Sequence, residues 1–166
     1  MRLKLFSLSL IGLLFLASCS RDDDNGDSSS GLQAFLDGRF NVDRVEYNGN
    51  LTPPLGSSIP LVGLGENTDG FYQFNQGQSA TYRVNSTMRV TLPLINQEIP
   101  IPIVVDGQGE VSIISETRFT IDDPRYGLMT YDVEEQSGNS LTCRTNYETD
   151  TLGSRVDLNL EIFMSK

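Results

Sequence analysis

The segment from Val156 to Ile162 sets Val156, Leu158, Leu160 and Ile162 at every second position, with Asp157, Asn159 and Glu161 between them. This alternation limits the fold more than any other feature of the chain. Successive side chains on a strand point to opposite faces, so such a segment is a strand with one dry and one wet face. Shorter two-residue patterns recur from Gly38 onward, broken by clusters of Gly, Asn, Asp and Pro, and no segment reads as a helix. The spacing predicts strands over 38–47, 70–74, 79–84, 87–94, 98–105, 110–114, 117–121, 128–133, 141–147 and 156–162. Eight to ten short strands joined by hairpins, without helical crossovers, make an all-β antiparallel fold, an up-and-down barrel or a sandwich.

Within this set several details carry expectations. Phe40 and Val42 share one face, whereas Val45 and Tyr47 fall in the opposite register, so a bulge is expected near Asp43-Arg44. Asn48-Gly49-Asn50 is expected to end the first strand. Residues 53–65, with Pro53, Pro54, Pro60, Gly63 and Gly65, read as a long irregular loop that acts as a lid over a cavity or packs over an open barrel end. Asn75-Gln76-Gly77-Gln78 is the clearest hairpin turn. Ile99, Ile101, Ile103 and Val105 share a face opposite Glu98, Pro100, Pro102 and Val104. Prolines cannot donate to a ladder, so this strand is an edge, a bulge or a protrusion. It either binds a partner or lipid surface or is buried in the barrel. Gly107-Gln108-Gly109 reads as a turn.

The N-terminus carries a different signal. Met1-Arg2-Leu3-Lys4, an apolar run from Leu5 to Phe15, and Leu16-Ala17-Ser18-Cys19 have the layout of an export signal, and the run is too short to span a bilayer. Leu16-Ala17-Ser18-Cys19 resembles a bacterial lipobox. The resemblance implies that residues 1–18 are a signal peptide and that Cys19 is alkylated by diacylglycerol, becomes the mature N-terminus and is acylated there. The protein is then anchored to a membrane without spanning it. Residues 19–31 lack large apolar side chains and form a flexible acidic tether. The run Ser20, Arg21, Asp22, Asp23, Asp24 resembles the surface-export signal of Bacteroidetes lipoproteins, with Arg21 interrupting the usual form. The expected location is the outer membrane at the cell surface; a solvated spacer on a periplasm-facing lipoprotein is the other reading.

Composition narrows the chemistry. Removing the signal takes Arg2 and Lys4 from the 12 basic residues and none of the 22 acidic ones, leaving ten against 22 and a formal charge of −12. Nucleic acid and anionic lipid surfaces are poor partners for such a chain. The stretch 32–166 is long enough for one core. With Cys19 modified, Cys143 has no partner in the chain and reads as a small buried hydrophobe. The absence of histidine excludes Ser-His-Asp and Cys-His catalysis and removes the commonest transition-metal ligand. Asp122-Asp123 and Glu134-Glu135 sit at expected turns, where solvated charge is the favoured reading. Residues 22–27 do not satisfy the spacing of a calcium loop. No enzyme activity, metal or cofactor is expected.

The order of features resembles the lipocalin-like domains of Bacteroidetes lipoproteins: a tether, a Gly38-Arg39-Phe40 opening strand reaching Tyr47-Asn48-Gly49, an aromatic strand and hairpin from Phe71 to Gln78, and a meander from Gly109 to Phe163. Many relatives carry a tryptophan where this chain has Phe40. The resemblance implies a calycin-type barrel with little helix, whose interior takes a small hydrophobic ligand, with Phe40, Val42, Phe74, Tyr82, Phe119, Tyr131 and Leu160 as candidate cavity positions. Residue by residue, ordinary core is the favoured reading of the same seven. The competing function is an envelope interaction module with a filled core, binding a protein or glycan through the long loop and the Pro-Ile strand. Asp150-Thr151-Leu152 resembles an O-glycosylation triplet with Thr151 as acceptor, and is also ordinary turn chemistry. The lipobox reading predicts that Cys19→Ser blocks both acylation and cleavage, so that radiolabelled palmitate is no longer incorporated and a precursor retaining residues 1–18 accumulates on gels.

Overall fold

The computed structural model describes residues 29–92, 97–151 and 153–166. Cys19, Ser20, Arg21, Asp22, Asp23 and Asp24 lie outside the described residues, as does the signal segment. One helix, α1 (Ser29–Leu36), precedes nine strands: β1 (Gly38–Thr52), β2 (Ile59–Leu64), β3 (Glu66–Asn75), β4 (Ser79–Leu92), β5 (Gln97–Ser115), β6 (Arg118–Asp123), β7 (Gly127–Ser137), β8 (Ser140–Thr151) and β9 (Ser154–Ser165). Neighbours pair antiparallel in the order β1-β3-β4-β5-β6-β7-β8-β9, and β9 returns to pair with β1. The lower part of β1 pairs with β3 (Gly38–Asn41 with Phe71–Phe74) and its upper part with β2 (Glu46–Leu51 with Ile59–Leu64). β2 and β3 therefore act as one bent strand, and the ring has eight positions. This is the expected all-β antiparallel up-and-down barrel.

The helix was not expected. Leu32 and Leu36 recur one turn apart and are buried, with Phe35 packed beside them. Eight residues are too few to hold a helix in water; burying two leucines, at roughly 2 kcal/mol each, docks it across one end of the barrel. Lys166 Nζ donates to the carbonyls of Phe35 (2.7 Å) and Asp37 (2.9 Å), closing the helix C-terminus with the last residue of the chain. The Gln33 amide donates to the Gln76 carbonyl at 3.0 Å, and Asp37 Oδ1 accepts from Gln76 N–H at 2.7 Å, fixing the helix to the β3–β4 turn.

The bulge falls where the register switch put it, between Val42 and Arg44, and it lets Phe40, Val42, Val45 and Tyr47 all face inward. The Asn75–Gln78 turn is also as expected: Gln76 and Gly77 both have positive φ (52° and 63°), and Gln78 N–H donates to the Asn75 carbonyl at 3.0 Å.

Three stretches expected as turns or loop are strand instead, because their glycines serve close approach. β1 runs through Asn48-Gly49-Asn50. A Cβ on Gly49 would lie 2.9 Å from Leu158 Cα on the facing strand. The expected loop 53–65 shrinks to 53–58, since Ile59–Leu64 pairs with β1. Gly63 faces Tyr47, and a Cβ there would sit 2.7 Å from the Tyr47 hydroxyl. Gly107 and Gly109 lie inside β5. The Tyr82 ring crosses Gly107, its register partner, and a Cβ there would come within 2.5 Å of the Tyr82 hydroxyl and closer still to Asp123 Oδ2.

These crossings carry hydrogen bonds. Among the described residues β2 and β4 form no ladder, and the Tyr47 hydroxyl spans the seam by accepting Arg89 N–H (3.2 Å) and donating to the Arg89 carbonyl (3.4 Å). The Tyr82 hydroxyl reaches over Gly107 and donates to Asp123 Oδ2 at 2.7 Å. The reading of Asp122-Asp123 as solvated charge holds for exposed Asp122 only. Asp123, one position on and on the opposite face, is 1% exposed. Its Oδ2 also accepts Gln108 N–H (3.1 Å), and its Oδ1 accepts Arg125 N–H (2.7 Å) and Tyr126 N–H (3.3 Å). One carboxylate thus ties β4, β5, β6 and the β6–β7 turn together.

In the Pro-Ile strand, Ile101, Ile103 and Val105 are buried while Pro100, Pro102 and Val104 are exposed. The β4–β5 register runs without a shift from Ser79↔Glu110 to Leu92↔Gln97. An unbroken ladder accommodates these prolines only where their nitrogens face away from β4, toward the open edge of β5. The isoleucine face is barrel core, so this strand is not a free protrusion.

Two outcomes follow. Gly107→Ala forces a methyl group against Tyr82 and Asp123 and lowers unfolding free energy by about 3 kcal/mol in urea titration. Burial works to raise the Asp123 pKa, but the bonds from Tyr82, Arg125 N–H and Tyr126 N–H and the Arg125 charge outweigh it and hold the carboxyl below its ordinary range. A depressed carboxyl pKa contributes stability that is full above the unfolded value of about 3.9 and is lost as pH falls through the lower folded value. Asp123→Asn therefore costs about 2 kcal/mol at pH 7, and its deficit against the unmodified protein narrows as urea titrations are repeated toward pH 3.

Candidate functional site

All seven candidate cavity residues face inward and are buried: Phe40, Val42, Phe74, Tyr82, Phe119, Tyr131 and Leu160. They pack on one another rather than around a vestibule. Phe119 stacks on Tyr131 with centroids 4.9 Å apart, Tyr72 stacks on Tyr82 at 5.5 Å, and Phe74 meets Phe40 and Phe119 edge-on at 6.0 and 5.7 Å. Rings in such offset and edge-on arrangements fill the helix-capped half of the barrel. Leu51, Leu61, Val90, Ile101 and Val156 are buried toward the other end. Tyr131 and Leu160, with Tyr72, Val84, Thr145 and Ile162, border a small void of ≈ 20 Å³. That is room for about one water-sized group.

The surface of the void is mainly apolar, and the hydroxyl-bearing side chains of Tyr72, Tyr131 and Thr145 stand around it. The Tyr72 and Tyr131 hydroxyls lie 3.4 Å apart and form one hydrogen bond. Burial first of all, together with their mutual proximity, raises the Tyr72 pKa well above the ordinary tyrosine value, and burial raises that of Tyr131; both are neutral. Thr145 Oγ1, on β8, finds no hydrogen-bond partner among the described residues, and the residue is only 8% exposed. Cys143, two residues away, is fully buried, and burial pushes its thiol pKa up, so it is unreactive packing.

The wall beside this void is incomplete. β5 pairs with β6 only over Glu110–Ser115. β8 pairs with β7 only over Ser140–Thr145, and from Asn146 onward its ladder is with β9 alone. The short β6–β7 hairpin therefore leaves a notch between β5 and the far half of β8. A groove of ≈ 330 Å³ occupies it, lined by Val105 on one side, Tyr147 and Glu148 on the other, and Tyr126, Leu128 and Met129 below. Leu128 is 67% exposed and Tyr126 43%, so the lip is apolar and open. Val105, Met129, Asn146 and Tyr147 line both the groove and the inner void. Met129 Sδ lies 3.9 Å from the Tyr131 hydroxyl and 4.0 Å from that of Tyr82. A flexible thioether therefore separates outside from inside. Burial pushes the Tyr147 pKa up, as expected for a phenol half inside the wall.

A wider depression of ≈ 640 Å³ lies over Thr81, Arg83, Asp106 and Arg125, crossed by the Arg125–Asp106 pair at 3.5 Å. Phe71, Tyr82 and Pro124 also line it, so charged and apolar surface are mixed there. Thr151 ends β8 opposite Ser154, where the hairpin turns through Gly153 at φ 73°; the Thr151 side chain and Leu152 lie outside the described residues. Among the described residues no three acidic or thiol groups converge as a metal site, and no helix is long and apolar enough to cross a membrane.

Sequence reasoning found the buried rings and missed Thr145, Met129, Tyr147 and Val105 as a group. The predicted strand lengths carried no signal for it: 117–121 is as long as 110–114, and the notch exists because 98–105 and 110–114 fuse into one β5 of 19 residues beside a β6 of six.

No family model matches the chain, and no curated protein does. Among solved structures it is similar to lobster apocrustacyanin A1, at 11% identity and a TM-score of 0.39 over 86% of this chain and 68% of that one. It is similar also to apocrustacyanin C2 (12%, TM-score 0.39) and apocrustacyanin C1 (11%, TM-score 0.37), with the same coverage of each chain.

Proposed function

We propose that this protein is a lipid-anchored, non-catalytic binding domain of the outer membrane, displayed at the cell surface, that takes a small apolar ligand at the notch between β5 and β8. The observation that carries this reading is the groove of Val105, Tyr126, Leu128, Met129, Tyr147 and Glu148, whose exposed Leu128 and Tyr126 form an apolar lip and which backs directly onto a small buried void. Small-molecule sites combine such apolar linings with a few converging polar groups. Anchoring rests on the Leu16 to Cys19 lipobox, and surface display on the acidic run at Ser20 to Asp24. The non-catalytic assignment is supported by the lack of histidine and by the engagement of the buried carboxylate of Asp123 in four structural hydrogen bonds.

One observation favours the interaction module as a second reading. The barrel interior is filled, while Leu55, Val62, Leu64 and Val104 stand exposed on the β1–β2 side and on the outer face of β5. Native mass spectrometry of the intact lipoprotein in nanodiscs, challenged with fatty acids and isoprenoids, separates the two. The ligand reading expects a one-to-one adduct that Leu128→Asp abolishes. A clean mass against the whole panel would overturn it in favour of the module.

A further inference from the structure

We infer that the ligand of the β5–β8 groove is an apolar molecule ending in a neutral oxygen, an alcohol or a carbonyl, and that the Tyr72, Tyr131 and Thr145 hydroxyls receive this end inside the wall. The inference rests on the groove being the binding site. Three facts carry it. Thr145 Oγ1 is a buried hydroxyl with no partner among the described residues, and a buried polar group left unbonded is costly, so a bound oxygen that bonds it recovers that cost. The Tyr72–Tyr131 pair uses one of its two hydroxyl protons on itself and directs the other to a weak acceptor, Met129 Sδ at 3.9 Å, which a bound oxygen replaces once Met129 moves aside. The void has the size of a single oxygen group and shares four lining residues with the groove. Met129 is the movable part between them.

The same lining argues against a charged end. None of the residues around the void carries a charge, and both tyrosines are neutral, so an ionised carboxylate there would be buried without a counter-ion. The site therefore discriminates an alcohol from a fatty acid of equal length.

The test uses the intact lipoprotein in nanodiscs, with 13C-labelled methionine methyls reporting at Met129, titrated with 1-octanol, octane and octanoate. Partitioning into lipid is common to the unmodified and Thr145→Val proteins and cancels in their ratio. Valine is nearly isosteric and removes the unpaired hydroxyl, so the fold is retained. The expected result is that Thr145→Val weakens octanol about tenfold, the loss of roughly one hydrogen bond, leaves octane unchanged, and that octanoate binds the unmodified protein at least tenfold more weakly than octanol. Equal effects of Thr145→Val on octanol and octane, or octanoate matching octanol, would overturn the inference while leaving groove binding intact. If none of the three probes shifts Met129, groove binding fails and the inference with it.

Discussion

The barrel depends on tyrosine side chains laid across glycines. Tyr82 crosses Gly107 to reach Asp123, and Tyr47 crosses Gly63 to reach the Arg89 backbone. In each case the ring covers backbone that a glycine leaves bare, and the hydroxyl bonds to the strand beyond. A single side chain therefore links three adjacent strands. At the β2–β4 seam it takes over from a missing ladder; at β4–β6 it delivers a proton donor to a carboxylate that would be costly to bury alone. The surface ion pairs, such as Arg144 with Glu134 and Glu161, are exposed and worth at most about 1 kcal/mol each. The specific placement of the strands rests on the buried bridges.

Much of the fold was legible because alternation is a direct record of facing. Val156 to Ile162, the 42–44 bulge and the Asn75–Gln78 turn follow from side-chain period and backbone conformation, which are local properties. Glycine was not legible in the same way. At Gly77 it supplies a positive φ and a turn. At Gly49, Gly63 and Gly107 it supplies room for another strand or ring, a purpose that depends on residues far along the chain. The helix was missed for a related reason: Leu32 and Leu36 make only one apolar turn, and docking on the barrel end decides its conformation.

The candidate site was legible only in part. Its large rings were recognised as inward-facing, with cavity lining and ordinary core both open, and the packing makes them core. The notch exists because β6 and β7 are shorter than the strands on either side, and no motif marks such a difference. Thr145 looks like any strand threonine until the packing around it shows that its hydroxyl has nothing to bond among the described residues.

The position of α1 gives the domain a direction. The helix lies at the barrel end formed by the β3–β4 turn and by Asn139, whose carbonyl accepts the Lys166 amide. The β6–β7 turn, with Tyr126 at the lip of the groove, belongs to the other end. The described chain enters the domain through this helix, so the groove opens at the barrel end remote from that entry.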